Sequence, residues 1–181
     1  TRRGDPQQRD PRVCPRDWWR TGTISQVFFR SFADCIGDGT GDINGLRSKL
    51  AYLADLGIDG IWINPWYPSP LLDGGYDVAD YRDIHPSYGT LEDADALIEE
   101  AHELGIRILV DLVPNHCSWD HIWFKAALQA APGSPERARF HFTQGSVADD
   151  GTAGPPNNWK SVFGGSAWTQ VDDGQWYLHL F

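Results

Sequence analysis

A repeated asymmetry constrains this chain more than any other feature. Three strand-like runs, at residues 23–30 (TISQVFFR), 58–64 (IDGIWIN) and 106–111 (IRILVD), alternate with two helix-like runs. The first strand run carries Ile24, Val27, Phe28 and Phe29 with imperfect alternation. The third is apolar except for Arg107, the pattern of a strand buried in a parallel sheet. Between the strands, Ile43, Leu46, Leu50 and Leu53 recur at helical spacing. Leu91, Ala94, Leu97, Ile98, Ala101 and Leu104 form a second helical face behind Thr90 and Asp93, which fit a capping box. Gly57 and Gly105 close the two helices, and each following residue opens a strand. The exits from the strands lead instead into long loops. The order β-loop-α-β-loop-α-β, with crossovers long enough for right-handed βαβ units, predicts an α/β fold whose strand C-ends build a site. No GxGxxG or Walker loop follows a strand, which argues against a nucleotide-binding enzyme.

The remainder of the 181 residues divides by composition. Residues 1–16, rich in Arg, Asp, Gln and Pro, read as a disordered leader, with order beginning near Trp18 and Trp19. Residues 17–130 carry the βα units and a short helix expected over 120–131. Residues 131–181 are Gly-, Pro-, Asn- and Trp-rich, with little periodicity before a strand-like run at 175–181. They read as an insertion emerging after the third strand. A chain that stops inside a strand-like run is expected to be part of a larger domain.

Composition narrows the partners. Lys and Arg number 15 against 25 Asp and Glu, a net charge of −10, which disfavours nucleic acid and anionic membrane surfaces. The longest apolar runs fall far short of the roughly 20 residues of a membrane helix. Three widely spaced cysteines, Cys14, Cys35 and Cys117, make no disulfide framework and no zinc spacing, and fit free thiols in a reducing, cytoplasmic compartment. Aromatic residues make up 13% of the chain, which suits either a core or a neutral, ring-shaped ligand such as a sugar.

Three constellations carry chemistry. Asp34-Cys35-Ile36-Gly37-Asp38-Gly39-Thr40-Gly41-Asp42 places carboxylates at alternating positions of a turn. Hard cations want several oxygens in one shell, so the segment fits a loose calcium or magnesium loop, with the Thr40 carbonyl as a further ligand, or an Asp/Gly surface turn. An EF-hand is excluded, because it needs oxygen where Ile36 stands and a bidentate Glu where Gly45 stands. Asp73-Gly74-Gly75-Tyr76-Asp77, with Asp80 and Tyr81 behind it, offers hydroxyl acceptors and a flat apolar ring, though an ordinary turn has the same letters. Asp111-Leu112-Val113-Pro114-Asn115-His116 ends an apolar strand in polar groups, where α/β folds place their sites.

Together these residues resemble the α-amylase family of glycoside hydrolases, nearest its α-glucosidase and oligo-1,6-glucosidase branch. The matching stretches are DWWRTGTISQVFFRSFAD, GDGTGDINGL, YLADLGIDGIWINPWYPSP, DGGYDVADY, HPSYGTLED, GIRILVDLVPNH and NNWKSVFGGSAW. The resemblance implies a partial (β/α)₈ TIM barrel, its first three strands present, followed by the start of an inserted subdomain. It also implies that Asp73, Tyr76 and His116 contact a nonreducing glucose, with Tyr76 stacking on the ring. Asp111 would order the site by holding an Arg from a later strand, Phe163 would lie at the pocket rim, and Asp34, Asp38, Thr40 and Asp42 would form the family's calcium or magnesium loop.

Some residues depart from the family pattern. Ile36 replaces an oxygen-bearing loop residue and should weaken the metal site. Ser25 stands where the first strand usually has a Tyr, and Cys35 and Cys117 where small hydroxyl residues are usual. A retaining glycosidase needs two carboxylates roughly 5 Å apart; in this family they follow the fourth and fifth barrel strands, beyond residue 181. The implied function is a retaining α-glucosidase acting on short α-linked glucosides, an oligosaccharide or disaccharide substrate, represented here without its catalytic pair. The isolated chain is then expected neither to fold stably as a barrel nor to hydrolyse glycosides. The rivals are a family transglycosylase of the trehalose or sucrose isomerase type, and a non-catalytic truncated sugar-binding protein.

Overall fold

The computed structural model describes residues 17–181. The leader expected over residues 1–16, and Cys14 with it, lies outside the described residues. The chain forms two compact units that divide at Pro114/Asn115. That division falls earlier than the change in composition after residue 130, because the short helix expected over 120–131 packs with the residues that follow it.

In the first unit, β1 (Ile24–Val27), β2 (Gly60–Ile63) and β3 (Arg107–Val110) form a three-stranded sheet in the order β1-β2-β3. Both pairings are parallel, as the βαβ reading requires. The register sets Gln26 beside Trp62, Val27 beside Ile63, and Ile63 beside Val110. Alternation along a strand then sorts the side chains. Val27, Ile61 and Ile63 are buried in a core with Ile43, Leu46, Leu50, Leu53, Leu97 and Ala101 from the helices. Gln26 and Trp62 point to the other face and stay exposed. Arg107 fits its otherwise apolar strand because its guanidinium lies 4.3 Å from the Trp18 ring centroid.

The strands are shorter than the runs that announce them. β1 ends at Val27, and α1 (Phe29–Phe32) follows where the strand was expected to continue to residue 30. Phe29 turns inward there, 2% exposed and stacked on Trp66 and Tyr88, so packing takes a residue that alternation assigns to the strand.

The first helical run splits into α2 (Ile43–Arg47) and α3 (Leu50–Asp55). Ser48 Oγ donates to the Gly45 carbonyl at 2.6 Å and the Lys49 amide bonds Leu46, a tightening that breaks the helix while all four apolar residues stay buried. α4 (Leu91–Glu103) opens on the expected reciprocal capping box of Thr90 and Asp93. Arg47 ties α2 to α4 through two bonds to Glu100, one of 3.1 Å from Nε.

The short returns to strand have one geometry. The Gly57 amide bonds the Ala54 carbonyl and the Ile58 amide that of Leu53; Gly105 and Ile106 repeat this with His102 and Ala101. These are paired 5→2 and 6→1 bonds, and they need a left-handed residue at the helix end. Gly57 and Gly105 supply it, at φ 85° and 76°. Each helix is thereby reversed into the sheet through a connection of three or four residues.

The second unit holds α5 (Ile122–Gln129), an antiparallel sheet of β4 (Phe142–Thr143), β8 (Trp176–Leu178) and β7 (Trp168–Gln170), and the pair β5 (Ser146–Val147) and β6 (Ala153–Gly154). Phe124 of α5 packs on Phe140, Phe142 and Tyr177. Arg137 is 3% exposed, where its guanidinium bonds Asp173, Gln175 and the Ala127 carbonyl and lies over the Phe142 ring. No helix among the described residues is long and apolar enough to cross a membrane.

Candidate functional site at the strand C-termini

The sheet register continues one residue past each strand. The Asn64 amide bonds the Val27 carbonyl at 3.1 Å and the Asp111 amide bonds Ile63 at 3.1 Å, so Asn64 and Asp111 stand side by side at the C-terminal edge. Parallel strands in register show corresponding side chains to one face. Gln26, Asn64 and Asp111 therefore share the face opposite the core.

The loop after β2 brings Tyr76 to this edge. The Tyr76 hydroxyl donates to Asp111 Oδ2 at 3.0 Å and accepts from Asn64 Nδ2 at 3.0 Å. Asn64 Oδ1 accepts in turn from Gln26 Nε2 at 3.0 Å. Burial, then the bond and charge of Asp111, push the Tyr76 phenol above its ordinary value, against the donation from Asn64. Tyr67 is raised too, first by burial and then by the charge of Asp111. Its ring lies 5.7 Å from that of Tyr81, whose hydroxyl donates to the Val113 carbonyl at 2.7 Å.

The loop is braced by its own polar groups. Asp73 Oδ1 accepts the Asp77 amide at 2.7 Å, Asp77 accepts from Ser69 Oγ and the Leu72 amide, and the Ala79 amide bonds the Pro68 carbonyl. Gly75 is buried at φ 111°, and a Cβ there would meet the Pro65 carbonyl at 3.3 Å, so the backbone passes where no larger residue fits easily. Leu71 holds φ 60°, a left-handed conformation that costs a leucine roughly 1–2 kcal/mol. Strain of this kind persists only where surrounding contacts over-determine it.

Of the residues expected to form the site, Asp73, Tyr76 and Asp111 lie in the first unit, with Tyr76 and Asp111 in direct contact. The partner of Asp111 there is the Tyr76 hydroxyl. His116 and Phe163 belong to the second unit. His116 stacks on Phe181 with centroids 4.6 Å apart, and Phe163, 69% exposed, meets Phe181 edge-on at 6.4 Å. Sequence reasoning passed over Gln26, Asn64 and Phe181. A polar residue within or just after an apolar strand was the available signal for the first two.

The loop of residues 34–42 turns its carboxylates onto its own backbone. Calcium takes about 6–8 oxygens in one shell. Here Asp34 is turned onto its own loop: Oδ1 accepts the amides of Ile36 and Gly37 at 3.0 and 2.6 Å, and Oδ2 that of Gly39 at 2.8 Å. The Gly39 and Gly37 amides hold its carboxyl below the usual range. Asp38 takes the Thr40 amide at 2.8 Å. Asp42, buried, caps α2 at Gly45 and accepts from Cys35. Among the described residues no group of three or more His, Cys, Asp or Glu is arranged to hold a metal ion.

A polar strand edge lined by Tyr76, Asp111 and Asn64 suits a ligand with a flat apolar face and many hydroxyls. Comparison with known proteins decides the family. Residues 26–181 match the family model described as "Alpha amylase, catalytic domain". The chain belongs to the α-amylase family. It is similar to Maltase 1 of Drosophila virilis, 49% identical over 166 residues that make up 91% of this chain and 26% of that protein. An oligo-1,6-glucosidase of Saccharomyces cerevisiae is 46% identical over 166 residues, 91% of this chain and 28% of its own. Among solved structures, the trehalulose synthase MutB in complex with sucrose superposes with a TM-score of 0.85 at 47% identity, over 93% of this chain and 29% of that one. The chain thus spans less than a third of the length of the relatives it matches. Within the α-amylase family its three parallel strands with helical crossovers fit the first βα units of the barrel.

Proposed function

We propose that this chain supplies the sugar-binding edge of a retaining α-glucosidase-type glycoside hydrolase acting on short α-linked glucosides. The observation that carries the reading is Tyr76, its hydroxyl held between Asn64 and Asp111 at the C-terminal edge of a parallel sheet. That fixes one aromatic ring beside a carboxylate, the pairing that stacks on a pyranose and bonds its hydroxyls. Asp73 sits three residues away on the same braced loop and serves the glucose hydroxyls. The family resemblance gives His116 and Phe163 sugar contacts as well, and the unit that carries them is the start of the subdomain inserted after the third barrel strand. The two reacting carboxylates of the family's mechanism follow later barrel strands, so these residues bind and orient the sugar and do not attack it.

The names of the relatives support an α-glucoside substrate: a maltase and an oligo-1,6-glucosidase. The likeness to a trehalulose synthase favours a second reading, transglycosylation. The free thiols of Cys35 and Cys117 support a cytoplasmic protein. The direct test is ligand-observed NMR of methyl α-glucoside with the chain. Binding that is competed by maltose and lost in Tyr76→Ala is expected. A chain that folds and binds no glucoside overturns the reading.

A further inference from the structure

Gln26, Asn64, Tyr76 and Asp111 form a single file of hydrogen bonds across the ends of all three strands. The file runs one way. Its acceptor end is Asp111; Asn64 turns its side-chain nitrogen to Tyr76 and its Oδ1 to the Nε2 of Gln26, which completes the file as a donor. A phenol owns one proton, and an ionised carboxylate only accepts. With Asn64 donating to it, the Tyr76 hydroxyl spends its proton on Asp111. Asn64 is only 9% exposed, so no bulk water reorients its amide.

We propose that Gln26 and Asn64 are positioning residues of the glucose subsite, fixing the direction of the Tyr76 hydroxyl and thereby the placement of the ring on which the sugar stacks. The proposal rests on the sugar-binding reading above. Gln26 is exposed and packs in no core, so its side chain has little other structural duty. Chains of hydrogen bonds also strengthen one another, so loss at the Gln26 end is felt at Asp111.

The test uses polarity. In Gln26→Glu the new carboxylate only accepts, so Asn64 must turn its nitrogen toward residue 26. Its oxygen then faces Tyr76 and competes with Asp111 for one proton. Adding Asp111→Asn restores a complete file in the reverse direction: the new amide at position 111 donates to Tyr76, Tyr76 to Asn64, and Asn64 to the new carboxylate at position 26. Gln26→Ala removes the donor alone. Three readouts are taken on the 181-residue chain: the titration of Tyr76 by ¹³Cζ-tyrosine NMR, the affinity for methyl α-glucoside, and stability to urea.

Gln26→Glu is expected to raise the Tyr76 midpoint by about half a pH unit, because the donation from Asn64 opposes the upward shift, and to weaken glucoside binding about tenfold. Gln26→Ala is expected to do the same in smaller degree. The double variant is expected to be more stable than the sum of its single changes allows. An unmoved Tyr76 midpoint in both Gln26 variants, or strict additivity in the double variant, overturns the directional file. If wild type binds glucoside and both Gln26 variants bind equally well, the positioning role fails and the sugar-binding reading stands. If wild type shows a cooperative urea transition and binds none, both fall.

Discussion

The hydroxyl of Tyr76 lies 3.0 Å from Asp111 Oδ2, across 35 positions of sequence. One residue comes from the loop after β2 and the other ends β3. Their contact is where the long loops and the parallel register meet, and the consequences of disturbing it follow from the partners each would lose.

Tyr76→Phe deletes two hydrogen bonds and leaves Asn64 and Asp111 without the hydroxyl they share. Polar groups stranded in this way cost about 1–3 kcal/mol. A loss of that size is expected in urea unfolding at constant m-value. Glucoside affinity should fall less than in Tyr76→Ala, because the stacking ring remains.

His85 gives the first unit a pH dependence. Burial, with the charge of Arg30 adding, holds its imidazole below 6.5, against a hydrogen bond with Ser69. The unfolded chain then binds more protons than the folded one between the folded value and about 6.5, so stability rises with pH across that window. Stability is full above about 6.5 and is lost as pH falls toward the folded value. Unfolding at about pH 7.5 and about pH 5.5 should show the drop, and His85→Asn, which keeps an acceptor for the Ser87 amide, should lessen it. His179 is lowered by burial and acts with the same sign.

The loop of residues 34–42 should be indifferent to metal. Its carboxylates accept backbone amides, and chelator or added calcium is expected to leave the melting temperature unchanged. Asp42→Ala, by contrast, removes the cap on Gly45 and the acceptor for Cys35. A cap of this kind is worth about 0.5–2 kcal/mol. Calcium-dependent stabilisation of wild type would contradict this arrangement.

Arg137→Met tests the second unit. The guanidinium is nearly fully buried and its loss leaves Asp173 with a missing partner. Breaking a fully buried pair from one side costs about 3–5 kcal/mol; Asp173 is 33% exposed, so water takes up part of its charge and the loss should fall below that range. Replacing both, as Arg137→Met with Asp173→Leu, should recover much of that loss, measured by thermal unfolding.

Much of this architecture is legible in local sequence because its causes are local. The capping box of Thr90 and Asp93, the glycine stops at 57 and 105, and the order of strands and helices depend on residues a few positions apart. The motifs carried the family for the same reason: DGGYD and DLVPNH are contiguous. Boundaries were less legible where packing overrode pattern. Phe29 leaves its strand to stack on Trp66, and Ser48 breaks a helix whose apolar spacing is unbroken. Spacing arguments stop at the loop of residues 34–42, since alternating carboxylates look alike whether they serve a cation or their own backbone.

The sequence by itself determined the parallel βαβ order, the long loops at the strand C-ends and the family to which the chain belongs, because each is written in short-range periodicity and contiguous motifs. Only the tertiary structure decided that Gln26, Asn64, Tyr76 and Asp111 form one file. Those four come from three strands and a loop, and what joins them is the register of the sheet: a backbone pairing between distant segments aligns their side chains on one face, and no local pattern encodes it.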